Sequence, residues 1–268
     1  MPVTLLAPLF VPKVWGSRQL EPWFANPQER IGEVWFPVGA LLIKFLFTSE
    51  NLSLQVHPDD AYAARVHGSR GKTEMWHILR AAPDAAVAMG LRQALGDPQE
   101  LRQAAESGQI MELVQWFPAH RGDTFFIPAG TVHAIGAGLA LCEIQQNSDV
   151  TYRLYDYGRD RELHLDHGVK VAHMGPHAGA AHARQLAAGR ARLVDCAYFH
   201  TDALDLHGPS RVLAHLHDRI DAVVVLEGEV EIDDVRAVPG NVVQVSGTED
   251  LWLQTERGCS LLLVTAQD

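Results

Sequence analysis

The sequence predicts a mainly β protein, two small antiparallel β-barrels or jelly rolls in tandem with a short helical insertion in the first. Three observations carry this. Short strand-like runs recur through both halves, separated by turns rich in Gly and Pro. A single stretch, about 97–115, has a helical texture: Asp97-Pro98 reads as a helix start, and Leu101, Ala104, Ala105, Met111, Leu113 and Val114 follow at roughly helical spacing. Between the halves, residues 167–191 shift to Ala, Gly and His with few large apolar side chains, the composition of a linker. The expected organisation is a first domain over 1–166, a linker over 167–191 and a smaller β domain over 192–268.

Residues 1–37 carry Pro8, Pro12, Trp15, Gly16, Pro22, Trp23 and Pro27, which predicts an irregular arm packed on the scaffold by its aromatics, with a short strand over 31–35. Residues 40–47 read as a buried strand. Lys44 inside it is not a residue that core packing asks for, and both snorkelling to an edge and a ligand role stay open. From Leu52 to His57 the pattern alternates, so Ser53, Gln55 and His57 share one face, and Pro58-Asp59-Asp60 ends the strand just after His57, near a rim. One or two helical turns over 61–66 and a strand over 74–79 follow. Further strands are expected at 123–128, 133–135, 139–145 and 151–155, and in the second half at 223–226, 229–232, 241–245 and 261–264.

The chain has 268 residues, 47% of them apolar, enough for a sizeable core and against general disorder. Its formal charge of −11 is spread along the chain without a Lys/Arg patch, which argues against nucleic acid or an anionic membrane as partner. A phosphorylated metabolite needs only a few local cations and is not excluded. Cys142, Cys196 and Cys259 are too few and scattered for a disulfide framework, so a reducing compartment, the cytoplasm, is expected. The start lacks a basic segment followed by a sustained apolar one. The most hydrophobic run, 38–47, is short and contains Lys44, which rules it out as a membrane span.

The chemistry is concentrated at a few positions. Gln55 and His57 can supply an amide oxygen and an imidazole nitrogen, Gly71-Lys72-Thr73-Glu74 a carboxylate beside a lysine, and the segment from Gly122 through Pro128 and Gly130 a second histidine, His133. Gln55, His57, Glu74 and His133 together would bind one divalent metal through nitrogen and oxygen and leave room for water or substrate.

Gly122-x5-Pro128-x-Gly130-x2-His133 is similar to the second sequence motif of the cupin β-barrels. Together with Trp15-Gly16, Ile31-Gly-Glu-Val-Trp35, Leu52-Ser-Leu-Gln-Val-His-Pro-Asp-Asp60, Gly71-Lys-Thr-Glu74 and Gln145-Gln-Asn-Ser-Asp-Val-Thr-Tyr-Arg-Leu-Tyr-Asp156, it makes the first domain resemble the type I mannose-6-phosphate isomerases, in the family's order. The resemblance implies two cupin-type jelly-roll β-barrels and one Zn2+ per chain on Gln55, His57, Glu74 and His133. It implies a pocket containing Arg153 and Lys72 and lined by Glu143 and Asp149. The substrate phosphate is expected on Lys44, Ser53 and Arg159, at the end of the pocket opposite zinc. The implied reaction interconverts mannose 6-phosphate and fructose 6-phosphate through an enediol(ate); of Glu143, Asp149 and Lys72, Glu143 is the favoured proton carrier. The other reading is a non-catalytic sugar-binding cupin, against which Lys72, Glu143 and Arg153 speak. A monomer or small homo-oligomer is expected.

The second half departs from this pattern. His215-x-His217-x3-Asp221-x6-Gly228 has the spacing of the first cupin motif with Asp in place of Glu, but Ser246 stands where the second motif needs Pro and no histidine follows. A degenerate barrel without a second metal is therefore expected.

Overall fold

The computed structural model describes residues 3–214, 219–247 and 251–267. The chain begins with β1 (Val3–Leu5), β2 (Leu9–Ser17), β3 (Ile31–Val38), β4 (Leu41–Phe47), β5 (Leu54–Val56), α1 (Asp60–His67), β6 (Glu74–Ala81) and β7 (Ala86–Leu91). Helices α2 (Pro98–Ser107) and α3 (Ile110–Leu113) precede β8 (Val114–Pro118), β9 (Thr124–Ile127), β10 (His133–Ile135), β11 (Leu139–Gln146), β12 (Tyr152–Tyr155) and α4 (Leu165–Val171). The rest is strand: β13 (Arg184–Ala187), β14 (Arg190–Asp195), β15 (Phe199–His207), β16 (Ser210–Leu213) and β17 (Ala222–Gly228), then β18 (Val230–Ile232), β19 (Val235–Ala237), β20 (Val242–Val245), β21 (Trp252–Thr255) and β22 (Gly258–Ala266).

In the first barrel a six-stranded sheet, β2-β3-β4-β11-β6-β9, faces a five-stranded one, β12-β5-β10-β7-β8; the second combines a seven-stranded sheet, β1-β20-β17-β22-β15-β14-β13, with a four-stranded one, β16-β21-β18-β19. Leu46, Trp76, Ile78 and Leu141 of one sheet meet Val87, Met89 and Ile135 of the other and fill part of the first barrel's interior. The mainly β architecture expected from the sequence is the one observed.

Strands β4 and β11 are buried along their whole length. Alternation explains it, since each strand presents one face to the barrel interior and the other to the second barrel. Leu41, Ile43, Phe45 and Phe47 pack outward with Cys142 and Ile144 against Phe199, Val224, Leu262 and Val264. Lys44, between Ile43 and Phe45 in this alternation, therefore points inward, as does Glu143, its direct cross-strand neighbour. Helices α2, α3 and α4 cover the outer face of the five-stranded sheet through Leu101, Ala105, Ile110 and Val169. The start of α2 follows the expected chemistry: Asp97 accepts from Gln99 N and Pro98 occupies the first turn.

Several local expectations change. The supposedly irregular arm contains strands, because β2 is an edge strand with a single ladder to keep and tolerates Pro12 through register shifts on either side of it. Strand β1 pairs with β20, Val3 opposite Val245, so the first residues complete the second barrel's sheet. The helical stretch stops at Leu113, and Val114 starts β8. The 167–191 segment carries most of α4 and all of β13, held by hydrogen bonds that its small-residue composition does not announce. Strand β7 escaped detection because Ala86, Ala88 and Gly90 are weak strand formers, paired here by β10 and β8.

His215 and His217 lie outside the described residues. Asp221, the third member of that motif, accepts from Ala266 N at 2.8 Å and pairs with Arg219 at 2.9 Å, a structural use. The second barrel's interior is aliphatic, filled by Val223, Val225, Ile232, Val243, Leu253 and Leu263 among others.

The two barrels share one apolar core across β4 and β11, so they are expected to unfold together. Phe45→Ala should lower stability by about 3–5 kcal/mol within a single denaturant transition seen alike by fluorescence and circular dichroism. Two separated transitions would show that each barrel stands alone.

Candidate active site and metal centre

A row of directly opposed residues crosses the five-stranded sheet: Arg153 on β12 faces Gln55 on β5, which faces His133 on β10. Direct opposition puts the three side chains on one face, the barrel interior. His57 follows two residues after Gln55 on that face, and its carbonyl accepts from Gly130 N at 2.8 Å, which joins the two histidine-bearing segments. Glu74 arrives from the other sheet. The loop before it lies directly on the 58–60 turn, with Gly71 N donating to Asp60 Oδ1 (2.7 Å) and Lys72 N to Pro58 O (3.0 Å). A Cβ at position 71 would come within 2.6 Å of the backbone of Asp59 and Asp60, so this contact requires glycine.

The two imidazoles are oriented from behind. His57 Nδ1 lies 3.0 Å from Val150 O and His133 Nδ1 lies 2.8 Å from Thr131 O, so each Nδ1 carries the proton and each Nε2 directs a lone pair inward. His57 Nε2 is 3.5 Å from Glu74 Oε2, and His133 Nε2 is 3.5 Å from Glu74 Oε1. Gln55 places its amide nitrogen 3.3 Å from His133 Nε2, and a half-turn of that amide presents its oxygen at the same place. One ligand atom from each of His57, Glu74 and His133 lies within 4.8 Å of the others. His57 Nε2 and both Glu74 oxygens are buried with no hydrogen-bond partner among the described residues. Acceptors gathered in this way are costly unless a cation satisfies them, and two imidazoles, a carboxylate and an amide oxygen suit a divalent metal such as zinc.

The electrostatics agree. Burial, together with the Lys72 charge, holds the His57 imidazole well below its ordinary pKa, and burial brings His133 down to about 3, so both are neutral ligands near pH 7. Burial and the nearby Glu143 carboxylate push Glu74 up to about 8. For Lys72, burial acts to discharge the amine, but Glu74, Glu143, Glu33 and Asp149 outweigh it and raise its pKa. The ammonium sits 3.5 Å from Glu74 Oε2.

Lys44, Glu143 and Trp76 occupy adjacent strands at matching register on the interior face of the six-stranded sheet. Glu143 is held at both oxygens, by Lys44 Nζ at 3.3 Å and by Trp76 Nε1 at 2.9 Å. The Lys44 ammonium also lies 4.8 Å from the centre of the Trp35 ring, whose Nε1 donates to Glu33 at 2.7 Å. Glu33, Trp35 and Trp76 did not stand out in the sequence, although Glu33 and Trp35 alternate on one strand and Trp76 is two residues beyond Glu74, the spacing of a shared face.

Other expected site residues are placed differently. Lys44 is 2% exposed and paired with Glu143 at 3.3 Å, and its charge acts on both His57 and Glu74. Ser53 is buried, with its Oγ 3.5 Å from Gln55 Oε1. Asp149 is exposed. The Arg153 guanidinium donates to Glu162 O at 2.6 Å rather than to Asp149. Arg159 is engaged by Asp156 and by Asn51 O.

No protein-family model matches the sequence. The chain is 32% identical over 275 residues to mannose-6-phosphate isomerase ManA of Bacillus subtilis, a match covering 83% of this chain and 85% of that relative. It belongs to the mannose-6-phosphate isomerase family. A mannose-6-phosphate isomerase of Streptococcus mutans is 39% identical over 173 residues, 62% of this chain, and that match spans 54% of the relative, about half its length. Among solved structures, the Bacillus subtilis mannose 6-phosphate isomerase superposes with a TM-score of 0.86 at 26% identity, over 99% of this chain and all of that one. A zinc-bound mannose 6-phosphate isomerase shares the fold, with a TM-score of 0.77 at 15% identity over 99% of this chain.

With its carboxyl pushed up to about 8 by burial, Glu74 takes up a proton near pH 7 before any metal binds, and the histidines are already neutral. Binding of Zn2+ near pH 7 should therefore release about one proton, and apparent affinity should rise about tenfold per pH unit up to that value. Titration calorimetry in buffers of different ionisation enthalpy measures the count. A release of two or more would mean that the imidazoles are charged before the metal binds.

Proposed function

We propose that this chain is a zinc-dependent aldose-ketose isomerase that interconverts mannose 6-phosphate and fructose 6-phosphate through an enediol(ate). The observation that carries the reading is the buried set of unsatisfied acceptors on His57 and Glu74, joined by His133 and Gln55 inside a barrel that also holds Lys72, Lys44 and Glu143. Gln55, His57, Glu74 and His133 would hold a zinc ion, which would supply Lewis-acid chemistry at the sugar carbonyl.

The reaction moves one proton between neighbouring carbons, which calls for a single base held still between them. Glu143 is assigned that role, because its carboxylate is aimed by Lys44 on one oxygen and by Trp76 on the other. Lys72 is kept as an ammonium by the carboxylates around it and so serves as a fixed positive charge for the developing oxyanion rather than as a base. Arg153, at the outer end of the row beside Gln55, is assigned the second such charge. Exposed Asp149 acts through its field on Lys72. Ser53 and Arg159 are assigned to the phosphate. Lys44, bound to Glu143, is assigned to orienting the base instead of to the phosphate. A small phosphorylated sugar is thus the expected partner. Cys142, Cys196 and Cys259 are free thiols, which supports a cytoplasmic setting, and no described helix is long and apolar enough to cross a membrane.

Zinc-loaded protein should turn over mannose 6-phosphate in an assay coupled to fructose 6-phosphate consumption; sugar phosphate binding without turnover would overturn the isomerase reading. His133→Ala should lose zinc and activity together. Arg153→Ala and Glu143→Gln should keep zinc, read by atomic absorption, while kcat falls by roughly two to three orders of magnitude. Equal zinc loss in Arg153→Ala would show that its role is to build the site.

A further inference from the structure

Beyond β12 the chain reverses sharply. Tyr157 and Gly158 both take left-handed backbone, φ +55° and +79°, a conformation rarely adopted by a bulky L-residue and one that recurs where function requires it. The reversal folds two arginines back onto Asp156, whose side chain is 2% exposed. Arg161 grips the carboxylate with two parallel bonds, Nε to Oδ2 at 2.6 Å and Nη2 to Oδ1 at 2.7 Å. Arg159 reaches Oδ1 through Nη2 at 2.8 Å and Nε at 3.1 Å, and its Nη2 also donates to Asn51 O at 2.8 Å. The Tyr157 ring supports the Arg159 guanidinium at 5.3 Å.

Arg153 completes the group. It feels the charges of Arg161, Asp156 and Arg159, and its Nε is buried with no hydrogen-bond partner among the described residues. Two guanidiniums thus share one buried carboxylate and a third feels its charge, while the Glu162 carboxylate acts on Arg153. The Arg159 Nη1 approaches only the exposed Glu50, at 3.8 Å, and the Arg161 Nη1 has no partner among the described residues. The cluster borders the sheet edge where Arg153 opposes Gln55, beside the proposed metal ligands.

We propose that Asp156 is a positioning residue that holds Arg159 and Arg161 as a paired guanidinium receptor for the substrate phosphate, with Arg161 as a phosphate contact in its own right. Carboxylate and phosphate both match the planar fork of arginine, so a guanidinium anchored on Asp156 through one edge keeps another edge for a phosphate oxygen. Without the carboxylate, the two cations repel one another and lose the shared orientation. The identity of the phosphate carrier rests on the isomerase reading; the receptor itself does not.

The test uses zinc-loaded wild type, Asp156→Asn and Arg161→Gln. Three quantities are measured: zinc content, kcat and KM with mannose 6-phosphate, and the Kd of inorganic phosphate by calorimetry. Both variants should keep zinc, raise KM and weaken inorganic phosphate about tenfold or more, and leave kcat within about threefold. Phosphate binding and KM at wild-type values in the two variants would overturn the proposal, as would loss of kcat and zinc with KM unchanged. Arg161→Gln alters a partly exposed side chain and decides the matter if Asp156→Asn does not fold. A wild type that binds phosphate but does not turn over the sugar, with variants that lose the phosphate, would uphold the receptor and sink the isomerase reading.

Discussion

A carboxylate 1% exposed to solvent, Glu74, held between two neutral imidazoles, is the constraint on which the first barrel depends. Left alone, such a group would take up a proton, and the rise of its pKa to about 8 expresses that pressure. The surroundings answer it with positive charge from Lys72 at 3.5 Å, and the point where His57, His133 and Glu74 converge suits a divalent cation. Each backbone feature near the site serves this convergence. Gly71 lets one loop lie on another, Gly130 ties the two histidine segments together, and direct opposition of β5 and β10 brings Gln55 to His133.

The interior beyond the metal centre follows the same rule of paired charge. Glu33 lies between Lys13 and Trp35, and Glu143 between Lys44 and Trp76. Burial acts to raise the Glu33 carboxyl, yet Lys44, Lys13 and Lys72 outweigh it and keep it low. Glu33 and Glu143 each receive an ammonium and an indole N–H, so neither charge is isolated and each is fixed in direction. A site built this way is oriented before substrate arrives, which favours catalysis over adaptable binding.

The second barrel has an aliphatic interior and contributes through contact. Its seven-stranded sheet covers the outer face of β4 and β11, and that cover allows both strands to be apolar outward while carrying Lys44 and Glu143 inward. A solvent-facing outer surface would instead call for polar alternation on the outside of these strands. The first residues of the chain reinforce the arrangement, because β1 belongs to the second barrel's sheet while β2 edges the first.

The local pattern by itself determined the strand class of the fold, the helical insertion with its Asp97 cap, and a set of candidate ligands, because alternation, turn residues and ligand chemistry are properties of short segments. Gln55 and His57 could be placed on one face from their spacing alone. Pairing decided the rest. Edge pairing turned a Pro-rich arm into β2, and long-range pairing took β1 to the far barrel and made a strand of the Ala/Gly run in β7. It also set Lys44 opposite Glu143, and revealed Asp156 as the hub of two arginines whose spacing announces nothing. Register and burial depend on which distant strand lies alongside, and that information belongs to the folded chain as a whole rather than to any segment of it.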